Sequence, residues 1–345
     1  MSTIRFVNQR SHKCGVHEFN NEVRSQLAVC KTIALRDQTI RLTFERLGCH
    51  QRRGMTFVSY AQNFEDVMLH RALSDVPRGF YIDVGAADPE ALSVTKAFYD
   101  NGWQGINVEP DPDYAANLRV ARTRDVTVQA ALGATPGRMV INRIAGTGLS
   151  TFDGDLAARH VAAGYSSTPL EVEVTTLSEV CRGHAPADIH FLKIDVEGAE
   201  RAVLQGADFS IHRPWIVVVE ATEPFLPTPN HQAWETILLD AAYVFVWFDG
   251  LNRFYVAQEH EDALRPAFLA PPNFFDYFER AVEVALRSRA EEAEERAREA
   301  EVRAKAAELR ANESAAALAI LHASKSWRAT APFRAIAALA RRLRS

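Results

Sequence analysis

Four carboxylates stand where a chain of this pattern leaves a buried strand: Asp83 in FYIDVGA, Glu109 in INVEP, Asp195 in FLKIDVEGAE and Glu220 in WIVVVE. In a doubly wound α/β protein, ligands bind outside the carboxyl ends of the strands, so these acids converge on one negatively lined rim. Gly85 lets the backbone turn sharply and approach a ligand, with Ala86 and Asp88 completing the turn. Glu109, followed by Pro110, ends the next strand, where an acid takes the two hydroxyls of an adenosine ribose. A dinucleotide's pyrophosphate would meet Asp83 and Asp88, and Pro89 removes one backbone donor. S-adenosylmethionine, with a sulfonium, an ammonium and no phosphate, suits such a lining. The plainer reading is that Asp83 and Asp88 only cap the helix that follows, with Asp88 as N-cap and Pro89 at the first helical position.

The same rim supplies proton chemistry. Asp195 follows the strand beside the glycine-turn strand, which makes it the first choice for a base or hydroxyl anchor. His231 and His160 are alternatives because an imidazole titrates near neutrality, whereas His190 lies inside a strand and reads as packing. Glu197, Glu220, Ser150 in the loop GTGLSTF and Asn252 in a late hairpin are the expected substrate-pocket residues. A different use of Asp195 and Glu220, with Glu197 nearby, is to hold Mg²⁺ against a substrate hydroxyl, since hard cations prefer carboxylate oxygens.

Positioning these groups takes a mostly parallel sheet. Residues 80–84 and 105–108 read as strands around a helix carrying Ala91, Val94, Thr95, Phe98 and Tyr99; a third strand covers 126–131. Residues 189–194 and 215–219 are later strands, a helix covers 231–239, and 243–248 with 253–257 form a terminal antiparallel hairpin, making seven strands in all. Before the first strand, a helix with Val67, Met68, Leu69 and Leu73 on one face sets Tyr60, Gln62 and Asp66 over the crevice. Between 135 and 176, the runs MVINRI and LEVEVTTL and a short helix near 156–160 read as an insertion covering the site.

Composition bounds the class. A chain of 345 residues, 47% hydrophobic, supports one large α/β domain with appendages, and a net charge of −5 gives no global basic field for nucleic acid. Cys14, Cys30, Cys49 and Cys181 have no zinc-type spacing and read as free thiols of a cytoplasmic protein. Neither a cleavable leader nor an apolar run of membrane-spanning length is evident. Residues 1–54, with a weakly helical patch at 23–47, read as a poorly ordered extension ahead of a domain at 55–279.

The segments SYAQNFEDVML, FYIDVGA, INVEPDP, FLKIDVEGAE and FDGLNRFYVA occur in the order of the FkbM family of S-adenosylmethionine-dependent methyltransferases, which this chain resembles over some two-thirds of its length. DVEGAE after a strand is the most specific of them. The resemblance implies a Rossmann-like, class I methyltransferase fold and O-methylation of a sugar or natural-product hydroxyl. It implies cofactor roles for Asp83, Gly85 and Glu109 and pocket roles for Asp195 and Glu197. Many relatives have a further glycine where Asp88-Pro89 stands here. Two other readings are a non-catalytic scaffold of a polysaccharide-assembly complex and an NAD-dependent oxidoreductase.

Residues 280–322 are rich in Ala, Glu and Arg. Glu292/Arg296, Glu294/Arg298, Glu299/Arg303 and Glu301/Lys305 at i,i+4 spacing predict one long helix, either solitary or paired with another copy along a weak alanine seam. Residues 323–345 alternate Phe333, Ile336, Leu339 and Leu343 with Arg334, Arg341, Arg342 and Arg344. Behind Trp327, this basic amphipathic helix fits an anionic membrane surface on the cytoplasmic side or a partner such as a glycosyltransferase complex.

Overall fold

The computed structural model describes residues 56–144, 154, 158, 161–162, 164–223, 226 and 228–342. Cys14, Cys30, Cys49, Ser150, His160, the patch at 23–47 and most of the short helix expected near 156–160 lie outside them. The chain divides into two compact units, one spanning residues 53–282 and the other containing 283–345.

The first unit is a mixed α/β structure. Its main sheet contains β1 (Phe80–Val84), β2 (Gln104–Val108), β3 (Val126–Val128), β4 (Phe191–Ile194), β5 (Ile216–Glu220), β6 (Tyr243–Phe248) and β7 (Asn252–Ala257). Spatially they run β6-β7-β5-β4-β1-β2-β3, with β6 and β7 antiparallel to their neighbours and the rest parallel. Because successive side chains alternate between faces, each central strand feeds two cores. Ile82, Val84, Leu192, Ile194, Val217 and Val219 pack on one side against α4 (Leu177–His184), α5 (Glu200–Gln205) and α6 (Glu235–Asp240). Tyr81, Phe191, Ile216, Val218 and Phe254 pack on the other, against α1 (Glu65–Ala72) and α2 (Lys96–Asp100). A last crossover helix, α3 (Pro112–Ala121), starts at Asp111, whose side chain accepts from the Asp113 N–H.

Two smaller sheets complete the unit. Residues Ala131–Leu132, Gly137–Arg143 and Thr168–Thr175 form a three-stranded sheet around Ala131, Ile141, Val172 and Val174. Phe57–Ser59 pairs in parallel with Phe278–Arg280, joining the two ends of the unit. Arg71 of α1 reinforces that seam by a two-pronged pair with Asp276 at 2.6 and 2.7 Å.

Two elements differ from the sequence reading. The helix expected from Ala91 to Tyr99 exists only as Lys96–Asp100. Ala87 and Leu92 adopt left-handed φ values of 47° and 59°, and Leu92 bridges to Ala61, so the preceding stretch is a shaped loop. The strand expected over 126–131 is split, its first half in the main sheet and Ala131–Leu132 in the small one.

Ala281–Ala323 is one helix of 43 residues, belonging to the second unit from Glu283 onward. Three of the expected ion pairs form: Glu294–Arg298 at 3.7 Å, Glu299–Arg303 at 3.5 Å and Glu301–Lys305 at 2.7 Å. These exposed pairs add a few tenths of a kcal/mol each. Ser324 interrupts the helix and caps Lys325–Ala329, and Ala331–Arg342 follows.

Candidate active site

The strands deliver their polar side chains in register. Asn107, Asp83 and Lys193 are neighbours across β2, β1 and β4, on the face shared with Tyr81 and Phe191. Asp195 follows two residues beyond Lys193, while Glu220 pairs with Asn252 at the end of β5. The carboxyl edge of an otherwise apolar layer is therefore crossed by charge.

Lys193 stands at its centre, an ammonium buried 3.5 Å from Asp83 Oδ1 and 3.2 Å from Asp195 Oδ2 that also donates to the Gly85 carbonyl at 3.3 Å. Burial opposes its charge, but Asp195 and Asp83 together outweigh that and hold its pKa above the ordinary lysine value. The other oxygen of Asp83 accepts from the Thr95 hydroxyl at 2.8 Å. Gly85 has φ +78° and a Cβ there would lie 1.8 Å from the Asp195 carbonyl oxygen, so only glycine permits the two strand ends to touch.

Glu109 shapes the turn from the next strand. Its Oε2 accepts from the Ala87 N–H at 2.9 Å and its Oε1 from the Asp111 N–H at 2.8 Å. Burial lifts its pKa to about 7 against those bonds. Asp88 Oδ1 accepts from the Glu90 and Ala91 N–H groups at 2.8 Å each, but it closes a turn of the loop and caps no helix, since the helix starts only at Lys96. That carboxylate is committed to the loop.

These residues surround a cavity of about 330 Å³ lined by Asp83, Gly85, Ala86, Asp88, Glu109, Pro110, Asp195 and Glu197 among those named from sequence, together with Gln62. Such a volume is at the small end of ligand pockets. Its apolar wall is Val84, Val108, Leu92, Ala130, Ala131, Leu132 and Ile141. Ala87, Leu92 and Glu197, three of the six described non-glycine residues with positive φ, all face it. Backbone held in that region costs about 1–3 kcal/mol per residue and collects at functional sites.

Beyond Asp195 the acids crowd together. Burial, then Asp195 and Glu200, push Glu197 up to about 8. Burial also raises Glu200, whose Oε1 accepts from the Gly198 N–H at 3.0 Å. Glu220 is lifted to about 10 by burial and then by Asp195, Glu197 and Glu200. Its Oε2 lacks a donor if every acid is ionised, whereas a proton held on Glu220 gives it a hydrogen bond to Asp195.

The remaining residues named from sequence stand elsewhere. Glu220 lies behind Asp195 rather than on the cavity wall, and Asn252 is buried with its side-chain amide donating to Glu65 Oε1 at 2.8 Å. His231 does not line the cavity; its Nε2 lies 3.8 Å from Glu235, and burial followed by Arg253 lowers its pKa. Asp66 is buried and accepts from Ser59 Oγ at 2.7 Å and the Tyr60 N–H at 2.8 Å, fixing the loop that carries Gln62. His190 packs as expected, its Nδ1 accepting from the Phe80 N–H at 3.0 Å.

Sequence reasoning missed Lys193. The available signal was a charge inside the apolar run FLKI, which burial tolerates only with a partner. Among the described residues, no three or more His, Cys, Asp or Glu side chains are arranged to hold a metal ion. Asp195 is already paired with the Lys193 ammonium at 3.2 Å and Glu220 lies off the cavity wall, so the residues present do not fit the Mg²⁺ considered for Asp195 and Glu220.

A doubly wound sheet with a glycine turn, an acid at the next strand end and a cavity between them is the arrangement on which α/β proteins of this kind bind nucleoside-type cofactors. Residues 83–245 match the family model described as the Methyltransferase FkbM domain. The matched stretch runs from the glycine turn into the first hairpin strand and takes in FYIDVGA from Asp83, INVEPDP and FLKIDVEGAE, the segments on which the resemblance was drawn. No curated protein matches the chain. Among solved structures it is similar to a TehB-like SAM-dependent methyltransferase from Corynebacterium glutamicum, at 8% identity and a TM-score of 0.31, covering 67% of this chain and 98% of that one. It is also similar to cofactor-bound Rv0187 from MTB, at 12% identity and a TM-score of 0.28, covering 64% and 89%.

Proposed function

We propose that the protein is an S-adenosylmethionine-dependent O-methyltransferase whose acceptor is a hydroxyl of a sugar or natural product. The observation that carries this reading is that Asp83, Gly85 and Glu109 line one cavity together with a 38% exposed Asp195 side chain. The bound cofactor supplies an electrophilic methyl group. Glu109 is the ribose-hydroxyl acceptor, since each of its oxygens keeps a lone pair beyond the one backbone donor it has. Asp83 meets the cationic end of the cofactor. Asp195, aimed by Lys193, takes the acceptor hydroxyl's proton as the new C–O bond forms, and collinear positioning of the reactants supplies much of the rate. His231 has no part in this scheme.

Calorimetric titration with S-adenosylmethionine and with NAD tests the cofactor. Affinity for the first alone supports the reading, and affinity for NAD alone replaces it with the oxidoreductase. Transfer of labelled methyl to a panel of glycans then tests the acceptor, with Asp195→Asn expected to lose about 10²- to 10⁴-fold in rate.

The tail bears on location. No described helix is long and apolar enough to cross a membrane. In Ala331–Arg342, Phe333 and Ile336 are 74% and 66% exposed, and Arg334 stacks on Trp327 at 3.6 Å, in a stretch with no acid after Glu313. The proposal places the enzyme at the cytoplasmic face of an anionic membrane, held through this helix. Flotation of the full chain with phosphatidylglycerol-containing vesicles, but not with pure phosphatidylcholine, is the expected result. Equal behaviour with both removes the membrane from the account.

A further inference from the structure

Behind the glycine turn runs a buried chain of hydrogen bonds that ends on a cation. Arg122, just after α3, is 1% exposed. Its Nε and Nη2 donate to the Pro89 carbonyl at 3.1 and 2.6 Å, Nη2 donates to Ser93 Oγ at 3.0 Å, and Nη1 donates to the Tyr81 hydroxyl oxygen at 3.3 Å. The Tyr99 ring lies 5.0 Å from the guanidinium. Among the described residues, neutral oxygens and a ring meet this charge directly. The nearest carboxylate in the network is Asp125, reached through the Tyr81 hydroxyl at 2.6 Å. A buried guanidinium spent on one loop carbonyl and one loop hydroxyl is costly unless the shape of that loop matters.

The chain continues from Ser93 into the site. Ser93 Oγ and Thr95 Oγ1 are 3.3 Å apart, and Thr95 Oγ1 donates to Asp83 Oδ2 at 2.8 Å. With the Thr95 proton committed to Asp83, Ser93 must be the donor to Thr95, and Ser93 in turn accepts from Arg122. Every donor then points the same way, from the guanidinium to the Asp83 carboxylate, and such aligned bonds polarise one another. Asp83 passes the constraint on through Lys193, 3.5 Å away, to Asp195 at 3.2 Å from the same ammonium.

We propose that Arg122 is a positioning residue that holds the loop at 86–93 and, through Ser93 and Thr95, the Asp83 carboxylate in their ligand-binding arrangement before a ligand arrives. The inference rests on the reading of this cavity as the S-adenosylmethionine site. It also gives a physical sense to Pro89, whose carbonyl takes two of the guanidinium's N–H groups. A proline carbonyl pinned by a planar fork fixes backbone that glycine would leave free, so less ordering entropy is lost on binding.

The test uses the full chain and two readouts: S-adenosylmethionine affinity by calorimetry, and amide hydrogen exchange of the ligand-free protein. Arg122→Gln is expected to weaken binding about ten- to a hundred-fold, the loss appropriate to several bonds from a charged donor. The same variant should speed exchange of amides between 87 and 93, leaving those of α4 unchanged. Arg122→Lys, which lacks the fork, should fall between it and the parent. Thr95→Val should weaken binding about tenfold, with Thr95→Ser restoring it.

Unchanged affinity in Arg122→Gln, unchanged loop exchange, or acceleration spread equally over α4 overturns the proposal, the last by revealing a role in global stability alone. A parent protein that does not bind S-adenosylmethionine refutes the cofactor reading instead, and loop exchange still decides whether Arg122 sets the loop.

Discussion

Replacing Lys193 with methionine keeps most of its volume and removes its charge, so Lys193→Met isolates what the ammonium does between Asp83 and Asp195. Breaking a buried ion pair by deleting one partner typically costs about 3–5 kcal/mol, because the stranded charge stays desolvated. Asp83 is buried but the Asp195 side chain is 38% exposed and can recruit water, so the lower end, about 3 kcal/mol, is expected. For a domain of this size that corresponds to a midpoint about 6–12 °C lower.

Urea unfolding followed by tryptophan fluorescence is a suitable assay, since Trp103 and Trp234 are 4% and 1% exposed. The sign of the pH dependence follows from the groups involved. Lys193 has a raised pKa, so its own contribution is fully present below the ordinary lysine value of 10.5 and is lost only as the pH rises through the higher folded value. Between about pH 5 and 9 the lysine is charged throughout. Any change in the deficit over that window therefore does not come from the lysine. Adding Asp83→Asn to the variant should recover about 0.5–3 kcal/mol. A deficit below 1 kcal/mol at neutral pH would refute the reasoning.

Two further outcomes follow from the site. Gly85→Ala combines a left-handed backbone with a 1.8 Å approach to the Asp195 carbonyl, and should cost about 2–5 kcal/mol and abolish calorimetric binding of S-adenosylmethionine; a stable variant that still binds would contradict the geometry. Glu220, raised to about 10 from an ordinary 4.5, contributes stability below the unfolded value that is lost as pH rises through the folded one, so Glu220→Gln should match the parent at pH 5 and exceed it increasingly toward pH 9. Urea midpoints at three pH values check this, and a gap that closes with rising pH would show the direction to be wrong.

The mixed α/β sheet and the long helix were legible because both rest on local periodicity: continuous apolar runs such as IVVVE, and alternating Glu and Arg at i,i+4. The cavity was legible in outline because strand ends in a parallel sheet share one edge, which brings Asp83, Gly85, Glu109 and Asp195 together by topology alone. What sequence could not supply was pairing across strands. Lys193 meets Asp83 only through the β1–β4 register, and Arg122 reaches Pro89 from a helix end 33 residues away. Asn252 was misjudged for the same reason, since its amide turns toward Glu65 from 187 residues away. Residues 91–95 were read as helix because Ala91, Val94 and Phe98 keep helical spacing, while the left-handed turns at Ala87 and Leu92 leave no mark in a residue pattern.

The parallel pairing of Phe57–Ser59 with Phe278–Arg280 sets the order in which the molecule can be completed. Phe57 waits for a residue 221 positions downstream (278 − 57), so a nascent chain leaving the ribosome has its sheet in hand well before this clasp can shut. Because the long helix begins at Ala281, directly after the clasp strand, a pull on the carboxyl end of the chain loads those three rungs first. Under tension the clasp would act as a mechanical fuse, opening before the main-sheet strands that carry Asp83 and Lys193.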